Sequence, residues 1–387
     1  MRRRGLTVLL GALLTLLLGW QIGRADVPYV ALSPGPTVDT LSAVDRDGEH
    51  CDDPVIVPPP VTPAPGSASP SGAPPSAAPS PAASPEPACQ DVIQVTGTEV
   101  SRSRGQLRMV TVSVHSGMNL LEAIKGWISG EDAVVPRKLI YPEDQTEQQV
   151  EERNRQEFEE SQTSAETAAL KQLGYPVRVT VTEVNAGGAS SGKLNQGDVI
   201  ESVDGTPVTS MQKLLELVRA KPAGSTLRIG YARGETKATV DVVSKAADDG
   251  APRIGVGIRG VQPHPFQLRI KLDKIGGPSA GMMFALGIVD KLTPGAMTGG
   301  EVVAGTGTID AAGAVGAIGG IRQKLWGAED AGADWFLAPA SNCDEVTGHV
   351  PDGIDVFAVA TLEEARTIVE TIGEGGDTSR FASCPVS

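Results

Sequence analysis

Ser279 lies in the run Gly276-Gly277-Pro278-Ser279-Ala280-Gly281, between an alternating segment, Phe266 to Asp273, and an apolar helical pattern that continues through Leu292. The alternation predicts a strand, so the serine falls at a strand-to-helix junction. There the first N–H groups and the positive end of the helix dipole can stabilise an oxyanion, while the small neighbours let a peptide backbone approach. Ser279 is therefore a candidate nucleophile, although the same position suits an N-cap serine that only satisfies a backbone N–H. A nucleophilic serine needs a base, and no histidine lies near it in sequence. A lysine can serve if burial lowers its pKa enough to leave it neutral near pH 7. Lys324 is the best placed: it follows Ala314-Val315-Gly316-Ala317-Ile318-Gly319-Gly320-Ile321 and opens a helix with Leu325 and Trp326, where its amine can lie against an apolar wall. A solvated lysine in a first helical turn is the plainer alternative.

The elements that position these groups belong to a chain of 387 residues, 40% hydrophobic and 21% charged, with net charge −14. That is enough for two or three domains with cores, and it excludes global disorder. With 33 Lys plus Arg against 47 Asp plus Glu there is no basic stripe to grip a phosphate backbone beyond Arg2, Arg3 and Arg4, so no nucleic-acid partner is expected. Four histidines and the dispersed Cys51, Cys89, Cys343 and Cys384 form no zinc-ligand spacing, so the expectation is chemistry without metal or cofactor.

The apolar run Gly5 to Gly23 follows the three arginines and holds no charge. It is just long enough to span a bilayer, with the arginines cytoplasmic and the body of the protein extracytoplasmic. A cleaved signal peptide at Gly23-Arg24-Ala25 is the rival reading, and both export the rest of the chain. Export permits disulfides, with Cys51–Cys89 and Cys343–Cys384 favoured by sequence order. The Pro/Ser/Ala-rich stretch 54–88 cannot build a core and reads as a disordered insertion. Beyond it, a strand near Leu107 to Val114, a short helix Leu120 to Trp127 and a charged helix Glu147 to Leu173 suggest a small α+β collar.

From Val177 to Val243 the pattern turns to short strands, one helix (Met211 to Ala220) and tight turns at Asp204-Gly205 and Arg233-Gly234. The block Gly197-Asp198-Val199-Ile200, continued to Val208, and the following amphipathic helix resemble a PDZ domain in the circularly permuted order of bacterial proteases. The resemblance implies a groove that captures extended peptides by strand addition, with Gly197, Asp198, Val199 and Ile200 as peptide-binding candidates. Packing against a neighbour, with no ligand, is the alternative. Two other motifs mislead. Gly187 to Lys193 matches GxxxxGK, but Leu194 replaces the magnesium-binding hydroxyl, so no ATP site is expected; Gly255 to Gly260 fits GxGxxG yet runs into Pro263 and Pro265 and reads as a glycine-rich loop.

Gly277-Pro278-Ser279-Ala280-Gly281, the pair Thr306-Gly307, and Ile318-Gly319-Gly320-Ile321-Arg322-Gln323-Lys324 resemble the proteolytic domain of the Lon family of Ser-Lys peptidases, over roughly Arg253 to Glu370. By this resemblance Ser279 is the nucleophile, Lys324 the general base and later acid, and Thr306 the hydroxyl that orients the lysine, with Gly277 and Ala280 in support. The chain departs from many Lon proteases in having Gly276 where they carry Asp, and Thr308 where they carry Glu. No Walker motif accompanies the domain. The order of segments further resembles bacterial membrane-anchored PDZ-Lon-like proteins, which implies polypeptide substrates and a homo-oligomeric ring.

The expected fold class is multidomain α+β: a signal anchor or transmembrane helix (1–25), an extracytoplasmic α+β collar (26–174), a PDZ-like domain (175–246), a Lon-type α/β proteolytic domain (250–372) and a tail (373–387). The expected function is an ATP-independent, membrane-anchored serine endopeptidase. Two alternatives stand beside it: a non-catalytic PDZ scaffold, and an α/β-hydrolase that reads Gly277 to Gly281 as a GxSxG elbow with His349 as base.

Overall fold

The structure is a computed structural model that describes residues 25–44, 89–272 and 275–385. The apolar run Gly5 to Gly23, Cys51 and the Pro-rich stretch 54–88 lie outside the described residues.

A six-stranded sheet carries the site. Its strands run in the order Asp355–Val359, Trp335–Pro339, Val302–Gly305, Gln106–His115, Tyr29–Asp39, Ala133–Pro136. The first four are mutually parallel, and Tyr29–Asp39 runs antiparallel to both of its neighbours. Alternation of side chains sends Val303 and Leu337 to one face and Ala304, Phe336 and Ala338 to the other. Both faces are covered by helices, as parallel strands require. The first face holds the helix Gly281–Leu292, buried along nearly its whole circumference, with the helices Glu147–Gln172 and Leu362–Gly373 against it. The second face holds the helix Ile321–Asp330 through Ile321, Leu325 and Ala328.

This sheet differs from the collar expected over 26–174. Three of the strands in that stretch, Tyr29–Asp39, Gln106–His115 and Ala133–Pro136, complete the sheet that begins at Val302, and Ile93–Thr96 pairs with Gln267–Ile270 just before the serine loop. The N-terminal segment and the Lon-like segment therefore share one core, with Ile93, Leu107 and Met109 packed among Met282, Phe284 and Val303. The strand Tyr29–Asp39 has no clear alternation because Pro34, Gly35 and Pro36 interrupt it. The register shifts between Pro34 and Thr37, and a Cβ at Gly35 would collide with the Thr111 hydroxyl, so glycine is required where the two strands press together.

Between the two halves of the core sits a second sheet in the order Thr236–Val243, Thr226–Arg233, Val199–Val203, Arg178–Val184, Val256–Val261, with the helix Met211–Arg219 over it and its own core of Val181, Ile200, Leu214, Leu227 and Ile229. Its ends are tied back to the protease core. Gln262 Nε2 donates to the carbonyls of Thr167 (3.0 Å) and Tyr175 (2.6 Å), and Tyr175 packs edge-on against Phe266. The segment 255–260, expected as a loop, is instead most of the strand Val256–Val261. Its glycines permit close pairing: a Cβ at Gly257 would stand 2.9 Å from the Thr182 hydroxyl.

Of the four cysteines, Cys343 and Cys384 form the expected disulfide. Cys89 is also disulfide-bonded, and Cys51, its expected partner, lies outside the described residues.

Candidate active site

The serine loop is held mainly by the long helix Glu147–Gln172. The Gly277 N–H donates to the Asn154 carbonyl at 2.8 Å, and the Ser161 hydroxyl donates to the Pro278 carbonyl at 2.9 Å. Gly277 has φ +86°, a left-handed turn that a side chain would strain, and it aims the chain into the helix Gly281–Leu292. A Cβ at Gly276 would meet the Asn154 Cβ at 3.2 Å, and one at Gly281 would meet Ser161 Oγ at 2.7 Å. The glycine found at 276, where many Lon proteases carry Asp, thus follows from the closeness of this helix. Neither Asn154 nor Ser161 was singled out from sequence. The signal was present as a stripe of apolar and small residues, Val150, Phe158, Ser161, Ala165 and Ala168, hidden among charges.

The cap of the serine helix is Ala280, with no side-chain cap bond. The Ser279 hydroxyl is therefore not spent on capping; of the N-terminal N–H groups of the helix, that of Met282 donates to the Gly307 carbonyl at 3.1 Å. Opposite stands Lys324, in the first turn of Ile321–Asp330, which starts at Gly320 with φ +68°. Its side chain is buried, 3% exposed, and desolvation alone pushes its pKa down from 10.5 to about 7. The Lys324 amine donates to Thr306 Oγ1 at 2.9 Å, and that hydroxyl donates to the Ser279 carbonyl at 3.0 Å. The Gly307 N–H donates to the same carbonyl at 2.8 Å. The three elements bearing Ser279, Thr306 and Lys324 are thereby stitched into one constellation, with Gly277 and Ala280 in the serine loop. Thr308, the second departure, lies in a short strand paired with Gly316, where any larger residue would strike the Thr308 hydroxyl.

Asn342, also not singled out as part of the site, holds the segment before Lys324. Its Oδ1 accepts from the Ile318 N–H at 3.0 Å and its Nδ2 donates to the Ile318 carbonyl at 2.9 Å. His349 stands elsewhere, in the turn after the helix Cys343–Val346, bonded through its N–H to the Val346 carbonyl. The strand before Ser279 pairs with Ile93–Thr96 in a two-stranded ribbon and is not a strand of the central sheet, as a GxSxG elbow requires. The hydrolase alternative loses its architecture on that point.

The peptide-binding candidates of the second sheet are corrected. Val199 and Ile200 lie in an inner strand bonded on one side to Thr226–Arg233 and on the other to Arg178–Val184, so neither edge can accept a peptide. Asp198 is fully buried and spends its carboxylate on Arg233, at 2.7 and 2.8 Å, and on the Asn195 N–H. Gly197 supplies the positive-φ turn before it. The outer strands are Thr236–Val243 and Val256–Val261, and the Gly260 N–H of the latter donates to Met211 Sδ, 3.1 Å away at the start of the neighbouring helix.

A buried lysine with its pKa lowered to about 7, joined through a threonine to the backbone of a serine beside a helix N-terminus, is an arrangement that suits a Ser-Lys hydrolase. Comparison with known proteins agrees. Residues 274–372 match the Lon protease (S16) C-terminal proteolytic domain, and residues 148–243 match the PDZ domain. Lon protease 1 of Sorangium cellulosum is 34% identical over 123 residues, 31% of this chain and 14% of that protein. Lon protease 2 of Herpetosiphon aurantiacus is 30% identical over 185 residues, 45% of this chain and 20% of that protein. Lon protease 2 of Bacillus subtilis is 32% identical over 108 residues, 27% of this chain and 19% of that protein. Among solved structures, the PDZ domain of the SdrC-like protein from Listeria monocytogenes is 27% identical and covers 21% of this chain and 85% of that one, with a TM-score of 0.20. The chain thus contains one region that matches a PDZ domain and another that matches the Lon C-terminal proteolytic domain, and it spans a fifth or less of the length of these curated Lon relatives.

Proposed function

We propose that the chain is an ATP-independent serine endopeptidase, anchored in the cell membrane by the run Gly5 to Gly23, that cleaves exported or membrane-proximal polypeptides presented by its PDZ domain. The observation that carries this reading is the buried Lys324 amine bonded to Thr306, which in turn holds the Ser279 carbonyl. The neutral amine takes the Ser279 Oγ proton as the oxygen attacks a peptide carbonyl. The N–H groups at the start of Gly281–Leu292, other than that of Met282, which is bonded to the Gly307 carbonyl, stabilise the oxyanion. Collapse breaks the C–N bond, and the ammonium of Lys324 returns its proton to the leaving amine. Water then attacks the acyl-serine, with Lys324 again accepting and returning a proton.

Presentation by the PDZ domain uses the free edge of Val256–Val261, where an extended peptide adds as a strand beside the helix Met211–Arg219. Independence from ATP rests on Leu194 standing in place of the magnesium-binding hydroxyl after Lys193. The anchor rests on the length and lack of charge of Gly5 to Gly23; among the described residues no helix is long and apolar enough to cross a membrane. A homo-oligomeric ring is part of the same proposal and is read from the mass of the detergent-solubilised chain.

The experiment is hydrolysis of unfolded casein and a quenched peptide library by the full chain without ATP, comparing the parent with Ser279→Ala, Lys324→Ala and His349→Ala. Loss in the first two with His349→Ala active is the expected result. A parent no more active than Ser279→Ala would leave a PDZ peptide-binding scaffold as the function.

A further inference from the structure

We infer that the helix Leu120–Ile128 docks on the lipid surface of the membrane crossed by the N-terminal run; this rests on the anchor reading above. The helix turns its small residues, Ala123 and Gly126, inward against Ala31 and Val134. Outward it presents Leu121, Ile124, Trp127 and Ile128, which are 58%, 41%, 54% and 80% exposed. Leu121, Ile124 and Ile128 share one stripe by their i, i+3, i+7 spacing, and Trp127 flanks Ile124. These four are among the most exposed large apolar side chains of the described residues, gathered on one nine-residue helix.

What covers this face is set by where the chain enters the fold. The Leu120 N–H, at the first turn of the helix, donates to the Ala25 carbonyl at 3.2 Å, Asp26 bridges Asn119, and the Val27 N–H donates to the Met118 carbonyl. Ala25 is two residues from Gly23, the last residue of the apolar run. Two residues of chain span at most about 7 Å. If that run crosses the bilayer, the N-terminus of the exposed helix stands within a headgroup's depth of the membrane. A short apolar face at that depth removes its surface from water by entering the interface. Its chemistry suits the place: Trp127 is amphipathic, and it packs edge-on against Tyr29 at 5.6 Å. Lys125 shares the outward side, and Lys138 and the 66% exposed Leu139 follow the strand that pairs with Tyr29–Leu32. Long lysine stems can lie along the apolar surface with their charges at the headgroups.

The test reconstitutes the full chain into phosphatidylcholine vesicles with and without brominated acyl chains, in a Trp20→Phe background so that the tryptophan of the apolar run does not report. Trp326 and Trp335, partly buried in the protease core, act as internal reference. The expected result is bromine-dependent quenching of tryptophan emission, most of which is lost on further substitution Trp127→Phe. Alkaline carbonate extraction of the same vesicles reads the anchor separately. A chain retained by the vesicles whose quenching is unchanged by Trp127→Phe overturns the docking while the anchor stands. A chain released by carbonate overturns both. A cross-link through position 128 between two copies, with no quenching at Trp127, assigns the face to a second copy and overturns the lipid assignment.

Discussion

The Lys324 amine, on a side chain only 3% exposed, donates to the Thr306 hydroxyl at 2.9 Å. The lysine meets a neutral hydroxyl, which holds its proton far less strongly than a carboxylate would. Burial alone brings its pKa to about 7.

The first prediction concerns pH. Activity of the parent rises as Lys324 deprotonates, so the acid limb of the kcat/KM profile has its midpoint near pH 7. Stability carries the same signature. The unfolded chain keeps this proton up to about 10.5, the folded chain only to about 7, so between these values the unfolded state binds more protons and stability rises with pH. Lys324→Met, which fills the same space without charge, is therefore expected to be more stable than the parent at pH 7 by on the order of a few kcal/mol, the margin shrinking toward pH 10.5. Denaturant unfolding of both proteins across that range measures it, and a margin that does not change with pH contradicts the burial argument.

The second concerns the long helix. Ser161→Ala removes the bond to the Pro278 carbonyl and leaves the Asn154 carbonyl as the hydrogen bond between the long helix and the serine loop. The expected cost is about 1 kcal/mol in stability, with kcat reduced more than KM because the misplaced group is the nucleophile. Thr163→Ala, whose hydroxyl bonds only within its own helix, is the control and should leave both constants unchanged.

The third concerns Asn342. Its side chain is buried and satisfies both backbone groups of Ile318, three residues before the helix that carries Lys324. Asn342→Ala strands an N–H and a carbonyl, an expected loss of roughly 1–3 kcal/mol. Kinetics on the folded variant should show a lower kcat, and a variant with lower Tm but unaltered kcat would mean that the clamp serves stability alone.

The fourth concerns the disulfide. Cys343–Cys384 closes a loop of 41 residues and holds the tail whose Cys384 N–H donates to Val356 and whose Ala382 carbonyl accepts from Ala358, along the edge of the central sheet. Cys384→Ser is expected to destabilise the chain by about 4 kcal/mol. Thermal unfolding of parent and variant without reductant, which leaves the Cys89 disulfide intact in both, measures it, and an unchanged Tm contradicts the expectation.

Much of this site could be read along the chain because its parts are local. The turn at Gly277, the small residues around Ser279, the Thr306-Gly307 pair and the apolar run into Lys324 each state a short-range requirement, and the permuted PDZ pattern is written in its own turns. Tertiary structure decided what depends on distant segments meeting. Tyr29–Asp39 is broken by prolines and reads as no strand, yet it closes the protease sheet because a bulge absorbs them. The helix Glu147–Gln172 looks like solvent-exposed charge, yet its narrow buried stripe holds the serine loop. Val199 and Ile200 have the pattern of any half-buried strand, and only pairing shows that both of their edges are filled. Alternation and periodicity report which side of an element is buried. They carry no information about what buries it, and that contact set the pKa of Lys324, the position of Ser279 and which strands lie at the edges of the second sheet.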